Sequence, residues 1–145
     1  SVVKKFESKC ERNIIISING LQQIRSEKRA DNRYNEVAEV SRVLKELNME
    51  LNVPVLVTST LNRLIRDRVD KRPINYDLRD AGNIVDDADV VMFVYNDEVY
   101  YEETPDRGTV EVIISKQKYG PIGRVRLSSQ LHFCRFDNYT SNFFE

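Results

Sequence analysis

The sequence is poor in the residue types that usually announce a mechanism. Of 145 residues only two are cysteine and one is histidine. Cys10 and Cys134 lie far apart and have no metal-ligand spacing. That excludes a disulfide framework or a zinc module, and reads as two reduced thiols in a cytosolic protein. The lone His132 reads as a surface or edge residue rather than a catalyst. Neither sign of charge is in excess. Against 22 Lys and Arg stand 23 Asp and Glu, for a net charge of −1, which excludes a broad electrostatic footprint for nucleic acid but not a local one. No run approaches the ~20 apolar residues needed to span a bilayer. The opening residues (Ser1-Val2-Val3-Lys4-Lys5) carry no signal-peptide pattern. None of the five glycines is followed by Lys, so no Gly-rich phosphate loop of the Gly-Lys-Ser/Thr kind is present. The first residue is Ser rather than Met, which fits a piece of a longer protein.

What is present reads as one α/β domain. A chain of this length buries roughly 70% of its unfolded surface, and 41% hydrophobic with 31% charged residues is ordinary for a globular protein. Residues 2–11 have helix-like apolar spacing. Residues 14–18 are a β-branched run ending in the turn signal Asn19-Gly20, which predicts a buried strand. A charged loop over 25–32 then offers Asp31 or Asn32 as a helix cap. Val37, Val40, Leu44, Leu47 and Leu51 recur at steps of three and four, the core stripe of a helix that Asn52 ends. Residues 53–58 form a second strand with Pro54 at its start. Strand, helix and strand from 14 to 58 make a crossover long enough for parallel pairing. Residues 59–89 hold little apolar periodicity, and so long a loop is functional or mobile more often than structural. Residues 90–95 are a third strand, and 131–136 a last one. The aromatic tail 139–145 is left outside the domain.

The chain is organised around residues 110–126. Val110, Val112, Ile113 and Ile114 run into a basic tip with Lys116, Lys118, Arg124 and Arg126, turned through Gly120-Pro121-Ile122-Gly123. This predicts a hairpin arm with a charged end. In open parallel sheets ligands bind beyond the carboxyl ends of the strands. The informative positions are therefore Asn19, residues 59–63, Tyr95 and Lys116-Gln117-Lys118.

These strand ends resemble the carboxyl-terminal RecA-like motor domain of the DnaB-type replicative helicases. The blocks Tyr34-Asn35-Glu36-Val37, Leu51-Asn52-Val53-Pro54-Val55, Leu61-Asn62-Arg63 and Asp70-Lys71-Arg72-Pro73 fall in the family's order and spacing. So do Asp77-Leu78-Arg79, Asp87-Ala88-Asp89-Val90, Tyr95-Asn96-Asp97-Glu98, Lys116-Gln117-Lys118 and Gly120-Pro121-Ile122-Gly123. The likeness covers residues 2–138, and several blocks in register are far more specific than one short motif. It implies a partial RecA-like domain over 1–138 in the P-loop NTPase class. Its sheet is expected to be mostly parallel, with a carboxyl-terminal antiparallel hairpin. The resemblance also implies hexameric rings around single-stranded DNA, ATP and Mg²⁺ as family cofactors, and a cytoplasmic setting without a membrane. It assigns Arg79, Asp80 and Gly82 to the loop that tracks the DNA backbone, and Lys116 and Lys118 to the basic pair that reaches a neighbouring subunit's nucleotide.

Against the family's pattern the chemistry departs. The family's strand-end Asp, which positions Mg²⁺, is Asn19 here, an amide without the charge that holds a hard divalent cation. The Gln that senses the γ-phosphate is Thr60. The second basic residue of the pair is Lys118 rather than Arg, which loses the bidentate fork on phosphate. No catalytic residue is assigned, and the family's catalytic Glu falls upstream of Ser1. The expectation is a DnaB-like module without ATPase competence, acting in binding or assembly through helicase subunits or copies of itself. Two alternatives are a carboxyl-terminal piece of an active hexameric helicase, and a non-enzymatic regulator docking on a helicase ring. Without the phosphate-loop strand, the strands at 53–58 and 90–95 would carry exposed apolar edges. A longer parent, direct pairing of those two edges, or a strand supplied by another chain would relieve this.

Overall fold

The computed structural model describes residues 14–26, 32–79 and 83–140. The helix expected over 2–11, with Cys10, and part of the charged loop before Asn32 lie outside these residues, as do Asp80 and Gly82. The chain divides into two compact units. The first comprises residues 1–62 and 78–88, the second 63–77 and 89–145.

In the first unit, β1 (Ile16–Ile18) and β2 (Val55–Val57) pair in parallel, with Ile16 opposite Val55 and Ile18 opposite Val57. The crossover between them is α1 (Arg33–Leu51), 19 residues long. Of the two caps the sequence offers, Asn32 is used, and its side chain accepts from the Asn35 amide at 2.8 Å. At the other end Asn52 adopts the left-handed conformation, φ +51°, which Asn tolerates better than most residues. Val37 and Val40 from the apolar stripe bury against Leu21, with Ile24, Leu44, Val57 and Ile84 packed around them. Ile84 belongs to the short α2 (Ile84–Asp87). Glu36 accepts from the Arg33 and Arg25 guanidinium groups and the Ser26 amide, tying the segment before α1 to its first turn.

In the second unit, β3 (Val90–Tyr95), β4 (Thr109–Gln117), β5 (Gly123–Gln130) and β6 (Arg135–Asn138) form an antiparallel sheet in that order. β3 alternates, with Val91, Phe93 and Tyr95 buried and Val90, Met92 and Val94 exposed. The α/β class and the hairpin stand as expected. Antiparallel pairing extends beyond the hairpin, because β3 runs against β4 instead of continuing the parallel pair. The direct pairing of the two orphan edges is not formed. Among the described residues β2 pairs with β1 and β3 with β4. The last strand also begins later than expected. Leu131–Phe133 is a single 3-10 turn, and Cys134, exposed and at φ +50°, reverses the chain before β6 starts.

The segment 63–77 is knit together by side chains rather than by regular structure. Arg68 donates to the Asp70 carbonyl at 2.9 Å, to the Arg72 carbonyl at 2.6 Å and to the Asp77 carboxylate at 3.0 Å. Lys71 donates to the Arg68 carbonyl at 2.8 Å. Buried Asp77 also accepts from the Ile74 amide. Much of this segment's basic charge therefore holds its own backbone.

Candidate functional site

Parallel pairing puts the carboxyl ends of β1 and β2 side by side, and the polar residues that follow them interlock. The ladder continues one step beyond the strands, since the Thr58 amide donates to the Ile18 carbonyl at 3.0 Å and the Leu21 amide to the Thr58 carbonyl at 2.8 Å. The Thr58 hydroxyl donates to Asn19 Oδ1 at 2.8 Å and accepts from the Gly20 amide at 2.8 Å. Gly20 sits at φ +91°, where a Cβ would also lie 2.9 Å from Gln23 Nε2. The turn Asn19-Gly20 is thus a locked corner.

Asn19 carries no charge, and one lone pair of its side-chain oxygen is taken by Thr58. Among the described residues no group of three or more His, Cys, Asp or Glu side chains is placed to hold a metal. A hard divalent ion needs anionic oxygens, and this donor set does not fit Mg²⁺.

Beside this corner the Gln22 side chain bonds in three directions. Its Nε2 donates to Ser59 Oγ at 2.8 Å and to the Arg79 carbonyl at 3.0 Å, and its Oε1 accepts from the Thr60 amide at 3.1 Å. The partners fix the amide's orientation, because an N–H must meet oxygen and a carbonyl must meet nitrogen. The Arg79 amide donates to the Thr60 carbonyl at 3.0 Å, and Leu61 bridges to Leu78. Thr60 and Arg79, separated in sequence, are therefore brought together, with the Arg79 residue exposed. Sequence reasoning missed Gln22. Its one signal is position, a few residues past the end of an apolar strand, and nothing in the pattern separates it from Gln23.

In the second unit, the basic tip is built by a β-bulge. The register slips between Val91 and Met92, so that Lys116 stands opposite Val91 where an unbroken ladder would have placed Ser115. Bulges of this kind re-aim side chains at sheet ends. Lys118 is exposed. Its ammonium lies 5.2 Å from the centre of the Tyr119 ring and 3.8 Å from the Asp89 carboxylate. The hydrogen bond with Tyr119, and then the nearby Asp89 charge, hold its pKa above the ordinary lysine value. Lys118 keeps its positive charge at neutral pH.

Tyr95 is absorbed by structure. It is buried, and its hydroxyl donates to Asp97, which also accepts from Thr104. Burial, and then the bond to Asp97, push the phenol well above its usual range. The Thr104 and Tyr95 bonds hold the Asp97 carboxyl low. The Arg72 guanidinium lies 4.9 Å from the Tyr95 ring centre and forks onto Glu111 at 2.9 and 2.6 Å. That places Arg72 as a tie between its segment and β4 rather than as a free cation.

The comparisons with known proteins bear on this geometry. The family description "DnaB-like helicase C terminal domain" matches residues 1–138. The chain is 54% identical over 124 residues to the replicative DNA helicase DnaB of Pasteurella multocida, covering 86% of this chain and 27% of that one. It is 40% identical over 148 residues to the replicative DNA helicase DnaC of Bacillus subtilis, covering 97% and 33% respectively. The chain thus spans about a quarter to a third of the length of these curated relatives. Among solved structures it is similar to a DnaB-like replicative helicase described with its interactions with primase. The TM-score there is 0.91 at 36% identity, over 96% of this chain and 34% of that one. A second solved structure, of an ATPase domain, gives a TM-score of 0.88 at 35% identity, over 96% and 50%. Sequence and fold agree along nearly the whole chain, and the chain belongs to the DnaB-like helicase C-terminal domain family.

Proposed function

We propose that this chain serves DNA replication as a DnaB-like module, residues 1–138 with a tail over 139–145, that has lost ATPase competence at the β1 and β2 ends. Its remaining work is binding and assembly in the cytoplasm. Arg79, with Asp80 and Gly82, contacts the backbone of single-stranded DNA. Lys116 and Lys118 meet an anionic surface on another helicase subunit or another copy of this chain. The observation that carries the reading is Asn19. It is neutral, its oxygen is bonded to Thr58, and no acidic cluster among the described residues replaces the missing charge. Thr60 supports it, since the residue there is too short for the reach the family's Gln has.

A second reading is favoured by the span of the chain, a quarter to a third of its relatives. The rest of a longer protein, or a neighbouring subunit, would then complete an active helicase site. One experiment separates them. ATP turnover is measured with Mg²⁺ and oligothymidylate, for this chain and for the longest protein its reading frame encodes. The first reading expects no turnover from either. Steady hydrolysis by this chain alone refutes it, and hydrolysis only by the longer protein establishes the second. Lys116→Glu with Lys118→Glu is expected to abolish co-migration with a helicase ring in size-exclusion chromatography. Unchanged co-migration removes the hairpin tip from the interface.

A further inference from the structure

We infer that Gln22 is a positioning residue that clamps the segment bearing Arg79 to the strand end at Thr60, so that the two respond as one body to a polynucleotide. The inference extends the DNA-binding reading above and rests on it for the identity of the ligand. Three bonds support it. A single side chain satisfies the Thr60 amide, the Ser59 hydroxyl and the Arg79 carbonyl, at 3.1, 2.8 and 3.0 Å. The two segments it joins already share one backbone bond, Arg79 amide to Thr60 carbonyl. Gln22 itself is held by its own main chain, since the Arg33 guanidinium donates to its carbonyl and Leu21 beside it is a core residue. An exposed arginine on a long segment would otherwise lose rotational and translational freedom on meeting a phosphate. A clamped backbone has surrendered that freedom beforehand, which is how pre-organisation raises affinity.

Neither Asn19 nor Thr58 can substitute for Gln22. The Thr58 hydroxyl is spent on Asn19 and Gly20, and the shorter Asn19 side chain turns its oxygen to Thr58. The amide is also specific in its chemistry, because it must donate toward Arg79 and Ser59 while accepting from Thr60. Glutamate at this position keeps the acceptor and loses the donors until it is protonated.

The test uses the whole 145-residue chain and labelled oligothymidylate, read by fluorescence anisotropy and by amide hydrogen exchange. Gln22→Leu is expected to raise Thr60 amide exchange about tenfold and weaken oligonucleotide binding about three- to tenfold. Gln22→Glu is nearly isosteric and guards against a variant that fails to fold. Its Thr60 amide is expected to stay protected while its affinity falls. The ratio of its Kd to that of the unchanged chain should shrink as pH is lowered from about 7 to about 4, through the ordinary glutamate value of about 4.3, because a protonated carboxyl regains a donor for the Arg79 carbonyl. Simple repulsion between the new carboxylate and phosphate would give a pH trend that fades at high salt, whereas the loss of the clamp persists there. Unchanged Thr60 exchange in Gln22→Leu overturns the clamp, as does a Gln22→Glu defect that is flat with pH. If the unchanged chain binds no oligonucleotide while Gln22→Leu still releases the Thr60 amide, the DNA reading falls and the clamp stands.

Discussion

The Arg72–Glu111 pair carries the strongest expectation about stability. Arg72 donates Nε to Glu111 Oε2 at 2.9 Å and Nη2 to Oε1 at 2.6 Å. The side chains are 26% and 12% exposed, so the pair is only partly screened by water. Arg72→Ala leaves the Glu111 carboxylate largely buried with its main partner gone. Hydrogen bonds to charged groups contribute about 1.5–3 kcal/mol each, and breaking one side of a fully buried pair costs about 3–5 kcal/mol. The residual exposure lowers that figure, while loss of the contact with the Tyr95 ring adds about 0.5–1 kcal/mol. A loss of about 2–4 kcal/mol is therefore expected. Glu111→Gln should cost less, because Arg72 keeps Asp70 at 3.5 Å as a second partner. A double-mutant cycle in urea, followed by circular dichroism, should return a coupling of about 1.5–2.5 kcal/mol. The pH dependence has a definite sign. The Arg72 hydrogen bond depresses the folded pKa of Glu111. Its contribution is therefore present above the unfolded carboxyl value of about 4.3 and is lost as pH falls through the lower folded value. Arg72→Ala should flatten that part of the acid limb. A coupling below about 0.5 kcal/mol, or an acid limb unchanged by Arg72→Ala, refutes the claim that this fork pins the segment to β4.

Gly20→Ala should destabilise the first unit by about 1–2 kcal/mol, read as a shift in urea midpoint, because φ +91° is costly for any residue with a Cβ and Gln23 stands in the way. Asn32→Ala removes the acceptor for the Asn35 amide and should cost about 1 kcal/mol, whereas Asn32→Asp or Asn32→Ser should retain most of it.

Much of the fold was legible because its strongest signals are periodic. The stripe from Val37 to Leu51 has the helical step and places a helix where α1 is found. Residues 90–95, apolar on both expected faces, become β3 with those same ends. The apolar runs 14–18 and 53–58 are longer than β1 and β2, which are three residues each. Apolar composition marks burial, while a strand needs a partner along its whole length. Residues 63–77 were illegible for a different reason. Their order comes from Arg68, Lys71 and Arg72 bonding to carbonyls and carboxylates, and such bonds leave no period in a sequence. The same holds for Gln22, whose three partners come from positions 59, 60 and 79.

At Asn19 the fold asks for a hydrogen-bond acceptor and places no demand on charge. The structural duty at that position is to accept a hydrogen bond from Thr58 while Gly20 turns the chain. A carboxylate and an amide perform that duty equally well, since each presents an oxygen at the same distance from the backbone. What the amide lacks is only the negative charge, and the charge serves a cation rather than the fold. The ladder at β1 and β2 is made of main-chain bonds, and the packing beneath it of Leu21, Val37 and Val40, so neither registers the exchange. Folding alone therefore does not distinguish an acid from an amide at position 19. The Arg79 segment is different. Its carbonyl accepts from the Gln22 side chain and its amide donates to the Thr60 carbonyl, so its position is part of the fold's own hydrogen-bond satisfaction. Under the proposed loss of ATPase competence, the charge at position 19 would be free to go, while the placement of the Arg79 segment would be kept by the fold.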